Sequence, residues 1–140
     1  MANRRRARQR ALQILFLWDA RRQPVGEVIS AYYETLLSEE QPARDSFVDD
    51  LVHGTVDHLT ELDEQITKHA EHWRMERMPA VDRNILRLAV YEIKVAGTPA
   101  AVAIDEALEL ARKFSNEESV QFVNGVLDAI HRGMPLGTGG

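Results

Sequence analysis

The sequence predicts an all-α protein, built as a single domain of six to seven helices. Apolar residues recur at the three- and four-residue spacing of a buried helix stripe along nearly the whole chain. No segment shows the strict apolar–polar alternation of a half-buried strand. The stripes are interrupted at Pro24, Pro42, Pro79 and Pro99, where proline favours a helix boundary. A chain of 140 residues is long enough to bury about two-thirds of its unfolded surface in one core.

The first half of the chain predicts three helices. The first begins in the arginine-rich N-terminal segment and carries the buried stripe Ala7, Ala11, Ile14, Leu15 and Trp18. The second runs from about Glu27 to Ser38, and a long third helix ends near His72. Gly54 lies inside this third helix, where it costs about 1 kcal/mol relative to alanine. We therefore expect another helix to cross close to Gly54.

The second half predicts three further helices. The fourth follows Pro79 and ends at Gly97. Apolar residues cover most of its circumference: Ile85, Leu86, Leu88, Ala89, Val90 and Ile93. We expect it to be the central and most buried helix. The last two helices carry the stripes Ile104, Ala107, Leu108, Ala111 and Val120, Val123, Leu127, Ile130.

Cap residues mark the starts of the last two helices. Thr98 is predicted to be the N-cap of the fifth helix and Pro99 its first residue. Ser115 and Glu118 have the spacing of a capping box at the start of the sixth. Residues 133–140 are rich in glycine, and we expect a flexible tail there after a folded domain at residues 1–132.

The charge of the chain is unevenly distributed. The formal net charge is −5, but residues 1–22 hold seven arginines against Asp19 and carry +6, whereas the remaining residues carry −11. Arginines at a helix N-terminus oppose the helix dipole and destabilise the helix by about 1–2 kcal/mol in total. That destabilisation is understandable if the arginines and the dipole together bind a polyanion. An ordinary solvated charged face is the alternative interpretation.

One face of the first helix combines basic, amide and aromatic side chains. At 100° per residue, Arg5, Gln9, Gln13 and Phe16 lie opposite the buried stripe. Guanidinium groups for phosphates and a ring for base stacking suit single-stranded RNA. Alternatively, Phe16 packs under a second helix together with its apolar neighbours, and the sequence leaves both interpretations open.

The sequence lacks the usual signatures of catalysis, cofactor binding and membrane insertion. Without cysteine it has no disulfide, thiolate nucleophile or Cys-based metal site, and it has no Gly-rich phosphate loop, nucleophile elbow or HExxH pair. His69 and His72 provide only two ligands, too few for a structural zinc site. Asp105, Glu106 and Glu109 are typical of a solvated helix face. No apolar run approaches the about 20 residues of a membrane helix, and no leader-like apolar region follows the arginines. We expect a cytoplasmic, non-enzymatic protein with no cofactor and no metal.

Two stretches of the second half resemble a known family. They are residues 81–92 (VDRNILRLAVYE) and residues 102–128, which begin VAIDEA and end FVNGVLD. Together with the arginine-rich start leading into ALQ at residues 11–13, they resemble the NusB family of transcription antitermination factors over about residues 4–130. The resemblance implies two three-helix bundles packed across each other. It also implies binding to the boxA RNA of nascent ribosomal RNA leaders together with NusE, a small-subunit ribosomal protein. With NusA and NusG on RNA polymerase, such a complex makes elongation resistant to termination and supports ribosomal RNA synthesis.

The resemblance also implies the site residues. The RNA surface falls on Arg4, Arg5, Arg6, Arg8, Phe16, Lys113, Phe114, Asn116, Ser119 and Phe122, and the NusE face falls around Glu76 and Asp82. Two positions depart from the family pattern. Ser115 stands where glycine is usual and Asp105 where asparagine is frequent. We expect the first to change the turn before the last helix and to alter RNA affinity.

Two other functions are compatible with parts of the pattern. A NusB-like domain also precedes some RNA methyltransferase domains, but this chain shows no βα pattern and no Gly-rich cofactor turn. Alternatively, the acidic body is a protein-interaction module that binds NusE or other basic ribosomal proteins without RNA specificity of its own. The resemblance extends to monomeric and dimeric members, so a homodimer remains open.

Overall fold

The computed structural model describes residues 3–37, 44–70 and 73–133. Within these ranges the chain is all-helical and has no strand, as the sequence predicts. The described residues form seven α-helices: α1 (Arg4–Arg21), α2 (Val25–Leu37), α3 (Ser46–Asp57), α4 (Leu59–His69), α5 (Ala80–Tyr91), α6 (Ala100–Phe114) and α7 (Glu117–Arg132). A 3₁₀ turn at Met75–Arg77 precedes α5, and a π-helical turn at Glu92–Ala96 follows it. No helix in the described ranges has the length and apolar character needed to span a bilayer.

The chain divides into two compact units, residues 1–57 and residues 58–140. The first unit contains α1, α2 and α3, each packed against the other two. The predicted stripe of α1 forms the centre of this unit, because Ala7, Ala11, Ile14, Leu15 and Trp18 are all buried. Helices α2 and α3 complete the core with Val28, Ile29, Tyr33, Val48, Leu51, Val52 and Thr55.

The second unit contains α4 to α7, with α5 packed against each of the other three. Every residue from Ile85 to Val90 is buried, which confirms the prediction of a central buried helix. This run includes Arg87, whose guanidinium donates to both carboxylate oxygens of Asp63 at 2.8 and 3.0 Å and to Asn84 Oδ1 at 3.1 Å. Its charge is therefore paired inside the unit.

The prediction of one long third helix was wrong. Helix α3 ends at Asp57 and α4 begins at Leu59, because His58 leaves the helical conformation with φ −105° and ψ 17°. The break is invisible in the sequence, since the stripe that predicts the long helix continues across it with helical spacing: Phe47, Leu51, Thr55, Leu59, Leu62 and Ile66. The ring of His58 lies 5.9 Å from that of Tyr91 in the second unit, a contact that local sequence does not reveal.

The helical stretch that begins with α5 ends at Gly97 as predicted, after the π-helical turn, but the start of α6 differs from the prediction. Gly97 adopts a left-handed conformation with φ 80°, which favours glycine. The Thr98 hydroxyl donates to Glu92 Oε1 at 3.1 Å instead of capping α6. Pro99 is the N-cap residue, one position later than predicted. The buried Glu92 carboxylate thus competes successfully for the hydroxyl that the sequence assigns to the cap.

Candidate nucleic-acid interface

The N-terminus of α1 combines a helix dipole with exposed arginines. Asn3 is the N-cap, and its Oδ1 accepts a hydrogen bond from the Arg6 backbone N–H at 3.0 Å. Arg4, Arg5 and Arg6 are exposed, and the first turn contains no acidic residue. The positive helix end and three guanidinium groups therefore occupy the same region, an arrangement that favours an anion.

Phe47 of α3 holds two of the predicted RNA-binding arginines. The guanidinium carbon of Arg4 lies 3.9 Å from the centre of the Phe47 ring, and that of Arg8 lies 5.7 Å from it. Arg8 is only 7% exposed, unlike Arg4. Its buried side chain packs α1 against α3, so this structure offers little of Arg8 to an RNA. The sequence gives no signal for this role, because Phe47 is far from Arg8 in the chain.

Phe16 lies on the solvent side of α1. Its side chain is 41% exposed, whereas the neighbouring Leu12 is buried. On the same face Gln13 is exposed, and its Oε1 accepts a hydrogen bond from the Tyr32 hydroxyl at 2.6 Å. The face of amide and aromatic groups predicted from the helical wheel is therefore accessible. Phe16 is not enclosed under another helix of this unit.

The second group of predicted RNA-binding residues lies at the end of α6 and the start of α7. Lys113 is exposed, with its Nζ 5.7 Å from the centre of the half-buried Phe114 ring. The N-cap of α7 is Asn116, whose Oδ1 accepts from the Ser119 backbone N–H at 2.9 Å. The predicted Ser115–Glu118 capping box is therefore wrong.

The Ser115 hydroxyl contributes to a tertiary network instead. It lies 3.2 Å from Asp82 Oδ1 and 2.7 Å from the Ser119 hydroxyl, which donates to Asp82 Oδ2 at 2.8 Å. Asp82 is 3% exposed and Ser119 is 6% exposed. The network ties the start of α5 to the turn between α6 and α7. The side chains of Asp82, which the resemblance assigns to the NusE face, and of Ser119, which it assigns to the RNA surface, are therefore bonded to each other inside the protein.

A pocket of about 310 Å³ lies beside this network, entirely within the second unit. Its apolar lining is Trp73, Met78, Pro79 and Phe122, and its polar lining is Asp82, Asn116, Glu118 and Ser119. The Trp73 and Phe122 rings meet edge to face, with centroids 5.9 Å apart. Trp73 was not among the predicted site residues. Its sequence signal is a large aromatic among polar residues just before Pro79.

The segment that carries Trp73 is fastened to α5. Arg83 Nη1 donates to the backbone carbonyls of Met75 and Met78 at 2.8 and 3.2 Å. The predicted partner residue Glu76 lies between them in the 3₁₀ turn and is exposed. The predicted histidine pair falls partly outside the described residues, because His72 is not among them. In the parts of the chain that the structure covers, no three His, Asp or Glu side chains are grouped for metal binding.

A family model described as the NusB family matches residues 5–132. The chain belongs to the NusB family. It is 78% identical to the transcription antitermination protein NusB of Solibacter usitatus (strain Ellin6076), with 96% of this chain and 92% of that protein covered. It is 49% identical to the protein of the same name from Koribacter versatilis (strain Ellin345), with 92% and 88% covered.

The fold agrees with this membership. A crystal structure of the antitermination factors NusB and NusE in complex with double-stranded RNA contains a chain that matches at a TM-score of 0.82. The two chains are 30% identical, and the match covers 94% of this chain and 97% of the other. In this NusB-family protein, the first motif, residues 81–92, forms α5 and the first residue of the π-helical turn. The FVNGVLD motif lies within α7.

Proposed function

We propose that this NusB-family protein is a transcription antitermination factor that binds boxA RNA of nascent ribosomal RNA leaders together with NusE. The main support for this proposal is membership of the NusB family, whose model matches residues 5–132. It is supported by the similarity to a NusB chain determined with NusE and double-stranded RNA. The protein acts in the cytoplasm on RNA emerging from the polymerase, in a complex with NusA and NusG. It does so by binding and not by catalysis.

The exposed residues of both units divide this task. In the first unit, Arg4, Arg5 and Arg6 bind phosphates, and Phe16 offers a ring to a base. In the second unit, a separate group of RNA contacts consists of the exposed Lys113 and Asn116 and the half-buried rings of Phe114 and Phe122. Arg8 in the first unit and Ser119 in the second are buried, so each supports the exposed residues of its own unit and does not contact RNA directly.

The two predicted NusE residues receive different roles. Glu76 is exposed and suits a contact with a basic ribosomal protein. Asp82 is buried and bonded to Ser115 and Ser119, so it acts by holding the turn before α7. Substituting Asp82 therefore affects partner binding through the structure of the second unit.

The test is fluorescence anisotropy of a short boxA RNA titrated with the protein, alone and with NusE, at several salt concentrations. A scrambled RNA is the control. We expect selective binding that NusE tightens, with log K falling against log salt at a slope near −3 for about four phosphate contacts to single-stranded RNA. If NusE tightens RNA binding, RNA tightens NusE binding by the same factor. Equal affinity for both RNAs, unchanged by NusE, would contradict the proposal and favour the interaction module.

A further inference from the structure

We propose that the pocket between Trp73 and Phe122 holds one unpaired nucleobase of the bound RNA. The proposal rests on the proposed RNA-binding function and adds a base-recognition subsite to it. The pocket has an aromatic wall formed by two rings that meet edge to face at 64°. Trp73 is 48% exposed, more than Phe16, Val95 and Val102, the other large apolar side chains that are exposed in the described part of the chain. An open indole face beside a cavity is the platform on which proteins stack unpaired bases.

The polar lining suits a neutral base better than a phosphate. Asp82 and Glu118 both line the pocket, and Glu117 precedes Glu118 in the first turn of α7. A phosphate would be repelled by these carboxylates, whereas a base carries no net charge. The positive end of the α7 dipole is already offset by Glu117 and Glu118. The pocket therefore selects against the RNA backbone and leaves the base as the fitting part of a nucleotide.

The hydrogen-bonding groups of the lining also favour a base over the guanidinium group of a basic protein. Asn116 uses its Oδ1 to cap α7, which leaves its side-chain NH₂ as a hydrogen-bond donor. Glu118 offers only acceptors when ionised. A donor and an acceptor together match the edge of a base, which presents both kinds of group. A guanidinium has donors alone and would leave the Asn116 donor unmatched.

The surroundings of the pocket supply charge for the flanking phosphates. Arg74 follows Trp73 directly and Arg77 precedes Met78, and both arginines are exposed. A nucleotide whose base enters the pocket thus has two cations within the same short segment for its backbone. The bonds from Arg83 to the Met75 and Met78 carbonyls fix this segment before RNA arrives. A preformed wall lowers the entropy lost on binding.

The first measurement uses the fluorescence of Trp73. The chain has two tryptophans, and Trp18 is buried in the first unit, so a Trp18→Phe variant leaves Trp73 as the sole reporter. We expect boxA RNA, added with NusE present, to quench Trp73 with the same midpoint as the anisotropy titration. Unchanged Trp73 fluorescence at saturating RNA would overturn the proposal.

The second measurement identifies the base by an abasic scan. Each nucleotide of the boxA RNA is replaced in turn by an abasic one, and the affinity for the wild type and for Trp73→Ala is compared. We expect Trp73→Ala to weaken binding about tenfold, within the range for loss of one base–aromatic stack. At one RNA position, removal of the base should weaken wild-type binding by a similar factor but add little in Trp73→Ala, because the two changes remove the same contact.

Two variants serve as controls. Trp73→Phe keeps an aromatic ring and should restore most of the affinity and the dependence on that RNA position. Val102→Ala truncates another exposed apolar side chain, 45% exposed on α6, and should give the wild-type abasic profile. Circular dichroism and thermal melting of each variant check that the fold is retained.

The outcomes separate this inference from the proposed function. Selective RNA binding with strictly additive effects of Trp73→Ala and every abasic substitution would overturn the pocket alone. If Trp73→Ala binds NusE more weakly but binds RNA with unchanged affinity, the pocket holds a side chain of NusE and not a base. That result would overturn the proposal as well. Coupling at one RNA position without boxA selectivity would support the pocket while contradicting the proposed function. If the wild type binds neither RNA, both are wrong.

Discussion

The exposure of the N-terminal arginines predicts which of them bind phosphate. Arg5 and Arg6 are exposed at the start of α1, whereas Arg8 is 7% exposed and lies against Phe47. We therefore expect the double variant Arg5→Ala/Arg6→Ala to change the salt dependence of RNA binding. Arg8→Ala should leave that dependence close to the wild type and lower the stability of the protein instead.

The magnitudes follow from the number of contacts removed. Each phosphate contact to single-stranded RNA contributes about 0.7 to the slope of log K against log salt, so the double variant should flatten the slope by about 1.4. If affinity at 1 M salt is unchanged, this corresponds to about 25-fold weaker binding at 0.1 M. Arg8→Ala loses the packing of its aliphatic stem and a cation–π contact, which together lower the free energy of unfolding by about 1 kcal/mol.

The assay is the boxA anisotropy titration in the presence of NusE, repeated over a range of salt concentrations, with urea unfolding of each variant. Arg21→Ala/Arg22→Ala is the matched control, because it removes the same formal charge from the other end of α1. That end is about 24 Å from Arg5 along the helix, which is longer than the Debye length of about 10 Å at 0.1 M salt. A control slope as flat as that of Arg5→Ala/Arg6→Ala would refute the assignment. So would an Arg8→Ala slope that changes as much as that of the double variant.

Three further predictions concern stability and are measured by chemical or thermal unfolding. Asp82→Ala should lower the free energy of unfolding by about 2–3 kcal/mol, because the hydroxyls of Ser115 and Ser119 lose a charged acceptor. An unchanged unfolding midpoint would show that the network is dispensable. Arg87→Met should cost about 3 kcal/mol by leaving Asp63 unpaired, and the loss should shrink in the double variant with Asp63→Leu. Burial, with nearby carboxylates, raises the pKa of the Tyr33 phenol from its ordinary 10.0. The folded state then keeps a proton that the unfolded chain releases, so the Tyr33 contribution to stability is fully present below the ordinary pKa and is lost as the pH rises through the folded-state pKa. Tyr33→Phe should flatten that alkaline decline, and an identical decline in both proteins would contradict the pKa shift.

The sequence by itself determined the helical architecture of this protein. The stripe of α1 and the broad apolar surface of α5 appear in the structure as buried residues, because a helix turns its apolar face toward the core. The end of this helical stretch at Gly97 was also predictable, since helices often end with a residue in the left-handed conformation, which favours glycine. The NusB family was identifiable from two motifs, residues 81–92 and 102–128, and the match to residues 5–132 confirms it.

Helix boundaries inside a continuous pattern were decided only by the tertiary structure. The break at His58 interrupts a stripe whose period is the same on both sides, so no local signal marks it. Ser115 and Asn116 are both good cap residues, and local preference cannot choose between them. Asp82, 33 residues away from Ser115, lies within 3.2 Å of that serine's hydroxyl and leaves the cap to Asn116.

The candidate site shows the same division. Sequence could locate the arginines, but burial of Arg8 depends on Phe47, and the pocket depends on Trp73 meeting Phe122 across 49 positions of the chain. Composition and periodicity report which residues prefer water and which local conformation they favour. Which polar groups face solvent and which are used inside the protein is set by contacts between distant segments, and these form only when the helices pack.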